Sequence, residues 1–285
     1  MESNTKNSLH IRCNSLPSSP HPLVSQFQEH LQRFNDSEAA TTSFSSSSIS
    51  HKLNGLKDLH DYADKLIQLP TIQQDLALEF SDKLIDGLLD GSLRLIDICG
   101  TAQDCLLKSK ENMYEIQSAL RRKGANNGFT VEGGKYLASR KKMKKVIQKA
   151  LGNLKGIKFE SNKDKEAFSV FSILKETEAI TIRSIESLLL FLSDPKGQSK
   201  QSKWSRISKL MQPARVACDS QETDSNEFVN VDAALQSLIS QKTSENFDNH
   251  MEDLEICIED LEVTVENLSR QLIRTRVSLL NILSH

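Results

Sequence analysis

MEDLEICIEDLEVTVENLSRQLIRTRVSLLNIL, residues 251–283, decides the fold. Stepping through it by fours and threes picks out Leu254, Ile258, Leu261, Val265, Leu268, Leu272, Thr275, Leu279 and Ile282, apolar at every position except Thr275. Cys257, Ile273, Leu280 and Leu283 form a second line that widens the stripe beyond a two-stranded seam. A helix of about 32 residues, rising about 1.5 Å per residue, reaches about 48 Å. A side that apolar cannot stay dry alone, so other helices, of this chain or of a partner, must cover it.

The covering helices are sought upstream, where no proline occurs between Pro70 and Pro195. Long helices need such a stretch, because proline removes a backbone donor and clashes with the preceding turn. Three are read inside it. The first spans about 75–123, with a bend at Asp90-Gly91-Ser92 where Ser92 can recap it; Phe80, Leu84, Leu88, Leu95, Ile98, Ala102, Cys105, Met113, Ile116 and Leu120 line its inner face. Gly124–Gly128 is a stop and turn. The second runs over about 132–154, with Gly133-Gly134 at its start. The third, about 162–193, carries Phe168, Phe171, Leu174, Ile182, Ile185, Leu188, Leu189 and Leu192.

On the N-terminal side, residues 1–21 lack apolar periodicity and read as a disordered tail. Pro22 opens a short helix carrying Leu23, Phe27, Leu31 and Phe34. Residues 41–50, almost all Ser and Thr, read as a linker. A helix over about 50–68, with Leu53, Leu56, Leu59, Ala63, Leu66 and Ile67 inside, ends before Pro70. Residues 198–230 read as an irregular polar loop in which Trp204, Ile207, Leu210 and Met211 form a docking segment; a short helix over 231–239 follows. No segment alternates with period two long enough to argue a sheet. The fold class is therefore all-α: an elongated bundle of long antiparallel helices, with residues 22–285 as a single domain behind the tail.

Composition agrees with this class and excludes others. The 285 residues hold 36 basic and 38 acidic side chains, few aromatics and five cysteines, Cys13, Cys99, Cys105, Cys218 and Cys257, with no CxxC spacing. An odd thiol count and a polar N-terminus predict free thiols in a reducing compartment, hence a cytoplasmic chain, peripheral to a membrane at most. The longest apolar run, Leu188–Leu192, is far short of a span.

Catalytic signatures do not appear. HExxH, GxSxG, GxxxxGK[ST] and GxGxxG are all missing, and no two of the seven histidines stand at i, i+4. Cys99 and Cys105 fall on different sides of a helix. Pairs such as Glu259-Asp260 fit a solvated helix face better than a general acid and base. The expectation is no enzyme, no cofactor and no metal.

Charge is more informative. Residues 121–158 contain twelve basic side chains against Glu132 alone, a net of +11, while residues 219–285 hold fourteen acidic and four basic, a net of −10. One reading docks the basic helix against the acidic rod. A second makes Arg140, Lys141, Lys142, Lys144, Lys145 and Lys149 a face for anionic lipid head groups. Nucleic acid is disfavoured, since no aromatic platform accompanies the lysines. The closing Leu272–Leu280 stretch, arginines among apolar residues, fits the last helix of a core or a membrane interface. In the tail, Arg12 lies three residues before Ser15 and Pro17 two after, which suits a basophilic kinase and then capture by a 14-3-3 type groove; Ser19-Pro20 is a proline-directed candidate. An inert tail stands beside both.

Several separated strings resemble a known family. DGSLRLIDICG (90–100), SALRR (118–122), YLASRKK (136–142) and LIRTRVSLLNILSH (272–285) are similar to the plant-specific Bypass-like family, a domain of unknown function. HIRCNSLP (10–17) and HPL (21–23) are similar to its opening, with Cys13 where a serine is usual. The resemblance implies a part in root and shoot development, with no assigned activity, cofactor or catalytic residues. Together these observations suggest a non-enzymatic scaffold with unidentified protein partners, or alternatively a peripheral adaptor on anionic lipid.

Overall fold

The computed structural model describes residues 21–40, 45–79, 82–123, 129–155, 170–193, 226–240 and 246–283. These form eight helices and no strand: α1 Pro22–Ala40, α2 Ser46–Ile67, α3 Pro70–Glu79, α4 Asp82–Lys123, α5 Phe129–Lys155, α6 Val170–Ser193, α7 Glu227–Ile239 and α8 Phe247–Leu283. The readings of residues 1–20, the Gly124–Gly128 turn, Phe168 and the Trp204 segment lie outside the described residues.

The rod is α8, and its inner stripe is buried: Leu254, Ile258, Leu261, Val265, Leu268, Leu272, Thr275 and Leu279 are all withdrawn from water. It packs chiefly against α2 and α4, while α6 packs against those same two helices from the far side. The four thus form a square, with α8 and α6 on one diagonal. Side-chain bonds fix the directions. Ser50 of α2 donates to Asp260 and Ser278 to Asp64 (2.5 Å), so α2 runs parallel to α8. Arg276 reaches Leu89 O and Ser92 Oγ, while Gln117 donates to Glu255 (3.0 Å), so α4 runs antiparallel to α8. Of the second line's described side chains, Cys257 joins the core while Ile273 and Leu280 stay exposed, because the square covers one flank of the rod and leaves the other to solvent.

Five local expectations are corrected. The Ser/Thr linker ends early: Ser45 caps α2, accepting from Ser48 N (3.3 Å), and residues 46–50 are already helical. A capped first turn tolerates serines that a helix interior would not. Secondly, α4 passes through Asp90-Gly91-Ser92 as one uninterrupted helix, and Ser92 Oγ donates back to Leu89 O (2.8 Å) instead of capping. Gly91 serves packing there, since a Cβ would collide with the buried Glu178 carboxylate of α6. Thirdly, Gly133-Gly134 lies inside α5, where a Cβ on Gly133 would press within 3.3 Å of Ile239 on α7. Pro70 ends α2 and opens α3, so the helix read as starting at about 75 is two helices. Likewise residues 227–230, read as loop, belong to α7.

At the centre of the square, His60 of α2 faces Thr181 of α6, Nε2 to Oγ1 at 2.8 Å. The threonine hydroxyl already donates to Thr177 O (2.7 Å), so it must accept from the imidazole. The proton therefore sits on Nε2, and Nδ1 has no partner. A cavity of about 40 Å³ opens beside it, lined by all four helices through side chains including Ala63, Leu95, Leu174 and Leu272. Burial lowers the His60 pKa to about 4, so the unfolded chain takes a proton the native chain refuses.

Two outcomes follow from this packing. Val265→Asp sets an unpaired carboxylate in the core and should cost about 3–5 kcal/mol in chemical denaturation; an unchanged melting temperature would put the stripe on a partner surface instead. Because its native pKa lies below the unfolded value, His60 contributes stability that is present above about pH 6.5. That stability drains as pH falls towards about 4, by up to about 3 kcal/mol. His60→Leu should flatten this part of the stability–pH curve; an equal slope in the variant would assign it to other groups.

Candidate functional site

The basic segment folds as α5 and packs against α4, α6 and α7. Its buried side chains, Tyr136, Arg140, Met143, Ile147, Ala150, Leu151 and Leu154, recur at helical spacing, and Arg140 stands among them. That spacing was visible in the sequence. Arg140 is only 2 % exposed, which removes it from the solvent face expected above. Its Nε donates to both Asp232 oxygens of α7 (3.2 and 3.4 Å), and its Nη1 donates to Leu192 O (2.9 Å) at the end of α6. The guanidinium lies over the Phe228 ring, 4.7 Å from its centroid. Phe228 in turn meets Phe191 edge-on.

A second side chain completes this junction. Asn226 caps α7, its Oδ1 accepting from Phe228 N (2.9 Å) and Val229 N (3.3 Å), while its amide donates to Phe191 O (2.7 Å). The last carbonyls of a helix have no partner within it and carry partial negative charge. Two of those on α6 are thus taken by an arginine from α5 and a cap from α7. Beside them, burial and the Asp232 carboxylate push the Tyr136 phenol up. Neither Asp232 nor Asn226 is legible as a partner from spacing, since each meets residues more than thirty positions away.

The remaining lysines divide. Lys144 is half-buried, with Nζ 3.5 Å from Asp232, so it too leans inward. Lys141, Lys142, Lys145 and Lys149 are exposed, as is Val146 among them and Val131 about three turns earlier on the same helix. The acidic rod does not neutralise this face: Glu262 and Glu259 take Lys110 of α4 (2.8 and 3.8 Å). Ser15 and Ser19 lie outside the described residues.

The thiols among the described residues face inward. Cys99, Cys105 and Cys257 are buried free thiols; burial pushes Cys99 up to about 12, Cys105 to about 11 and Cys257 higher still. A thiolate, the nucleophilic form, is thereby suppressed. Among the described residues, no three His, Cys, Asp or Glu side chains gather to hold a metal, and no helix is long and apolar enough to cross a membrane.

Arg140→Ala would leave Leu192 O without its donor and Asp232 with Lys144 alone, at a cost of about 2–4 kcal/mol in urea denaturation. Arg140→Lys should recover only part of this, since an ammonium lacks the planar fork. Lys142→Ala, on the solvent face, should change stability by less than about 0.5 kcal/mol; equal losses at 140 and 142 would contradict the division of the helix into two faces.

Comparison with known proteins places this arrangement. No curated protein and no solved structure matches the chain. A family model described as Protein BPS1 matches residues 52–282, a span that begins within α2, takes in the Arg140 junction and closes on the rod. The chain belongs to the BPS1 family, in agreement with the Bypass-like plant family that its strings resemble.

Proposed function

We propose that the chain is a non-enzymatic helical scaffold in plant development, binding protein partners through its outer helix faces. Family membership supports the developmental part. The observation that carries the binding part is the solvent face of α5, where Lys141, Lys142, Lys145 and Lys149 stand exposed without a carboxylate partner among the described ion pairs. Such a field attracts an acidic partner surface and speeds its encounter. On this reading no residue is catalytic and no cofactor is required. Phosphorylated Ser15, held in a 14-3-3 type groove, would be the regulated contact.

A second reading is favoured by Val146, an exposed apolar group among the lysines, with Val131 exposed further along the same helix. That mixture suits a chain lying on anionic lipid, where four lysines at about 1 kcal/mol each supply about 4 kcal/mol. One quadruple variant tests both readings: Lys141, Lys142, Lys145 and Lys149 each to Gln. As a scaffold, the wild-type chain should restore root and shoot growth in a plant lacking it, and the folded variant should not; equal restoration would remove the α5 face from the function. As a membrane adaptor, the wild type should float with phosphatidylserine vesicles at low salt, and the variant should remain in the pellet. Failure of the wild type to float would discard the lipid reading.

A further inference from the structure

Among the described residues ten large apolar side chains are conspicuously exposed, and five of them lie on α8: Ile256, Val263, Ile273, Val277 and Leu280. They do not scatter. Together with Glu259, Glu266 and Arg270, all exposed, they recur at alternating threes and fours from 256 to 280. This is a second heptad seam on the rod, opposite the buried one and about 36 Å long. A strict spacing of that kind fits one helix lying along another, not a flat or irregular partner.

Charge along the seam identifies that helix. From Glu252 to Glu266 the outer face is acidic, whereas beyond Glu266 the sequence carries Arg270, Arg274 and Arg276 and no further carboxylate side chain. Laid parallel, two such faces would repel at both ends. Laid antiparallel they attract, and one register matches apolar to apolar as well. Centred on residue 268, it sets Ile256 against Leu280 and Val263 against Ile273, each pair made twice by symmetry, and lays the Glu266–Arg270 ion pair of one copy (2.5 Å) head to tail against that of the other. Its one mismatch, Val277 opposite Glu259, is eased because that carboxylate leans towards Lys110 of its own chain (3.8 Å).

We infer that a second copy of this chain occupies the outer face of α8, the two rods pairing antiparallel about a two-fold axis that crosses that face midway between Glu266 and Arg270. A self-complementary patch of this kind closes on itself and stops at the dimer. The inference is independent of the α5 reading, since it uses the other charged face of the molecule.

The full chain provides the test, by light scattering and sedimentation over a range of concentrations and salt. A dimer that loosens as salt rises is expected. Val263→Asp with Ile273→Asp should give a monomer whose circular dichroism stays that of the wild type, because both side chains are exposed, and whose melting temperature no longer rises with concentration. Arg270→Glu alone and Glu266→Arg alone should each weaken association at least tenfold, since each sets like charges across the axis. Mixing the two single variants should restore a heterodimer, and combining both changes in one chain should restore the homodimer. A wild-type chain monomeric throughout overturns the inference, including one that binds vesicles through Ile273 instead. So does a dimer indifferent to these variants, or a charge swap that restores nothing.

Discussion

The structure depends on the burial of one long apolar stripe. A helix of 37 residues cannot leave its inner face wet, and no single neighbour is broad enough to cover it. Two helices take up the task from either side, α2 running with the rod and α4 against it, and α6 closes the square behind them. The last helix of the chain therefore assembles the fold, drawing together segments that are two hundred residues apart, as the contact of Ser50 with Asp260 illustrates.

Where the helices end, their exposed backbone carbonyls need partners, and this requirement shapes the Arg140 junction. The C-terminal turn of α6 lies within the protein, so water cannot satisfy it fully. An arginine from α5 and an asparagine cap from α7 do so instead, and Asp232 balances the buried guanidinium. A buried charge without that partner would be expensive; with it, the ion pair ties three helices to one point. The same logic of room for a charged group appears at Gly91, whose missing side chain admits the Glu178 carboxylate between α4 and α6.

Charge is segregated in the sequence, and the fold keeps much of it segregated in space. The positive field of α5 and the negative half of α8 do not quench one another, because α5 packs on α4, α6 and α7, and the rod pairs with Lys110. Two faces of opposite character are left to solvent. Carboxylates also flank the open depression where α2 meets α7 and α8, lined by Ser46, Glu227, Asp253 and Asp260. Charge kept apart at some electrostatic cost is available to bring partners in from solution.

By itself the sequence determined the helices and their inward faces. A 3.6-residue period and a proline-free stretch are local properties, so the burial of Leu254 through Leu279, of Leu53 through Ile67 and of Ile98 through Ile116 was legible from spacing alone. Arg140 stands between Tyr136 and Met143 on the apolar side of its helix, yet the run of lysines around it makes it read as part of the solvent face. Tertiary structure alone decided which basic residues meet a carboxylate, why Gly91 and Gly133 are glycines, and which flank of the rod stays bare. Those answers depend on contacts between residues far apart in the chain, and a one-dimensional pattern holds the period of a face without the identity of what will lie against it.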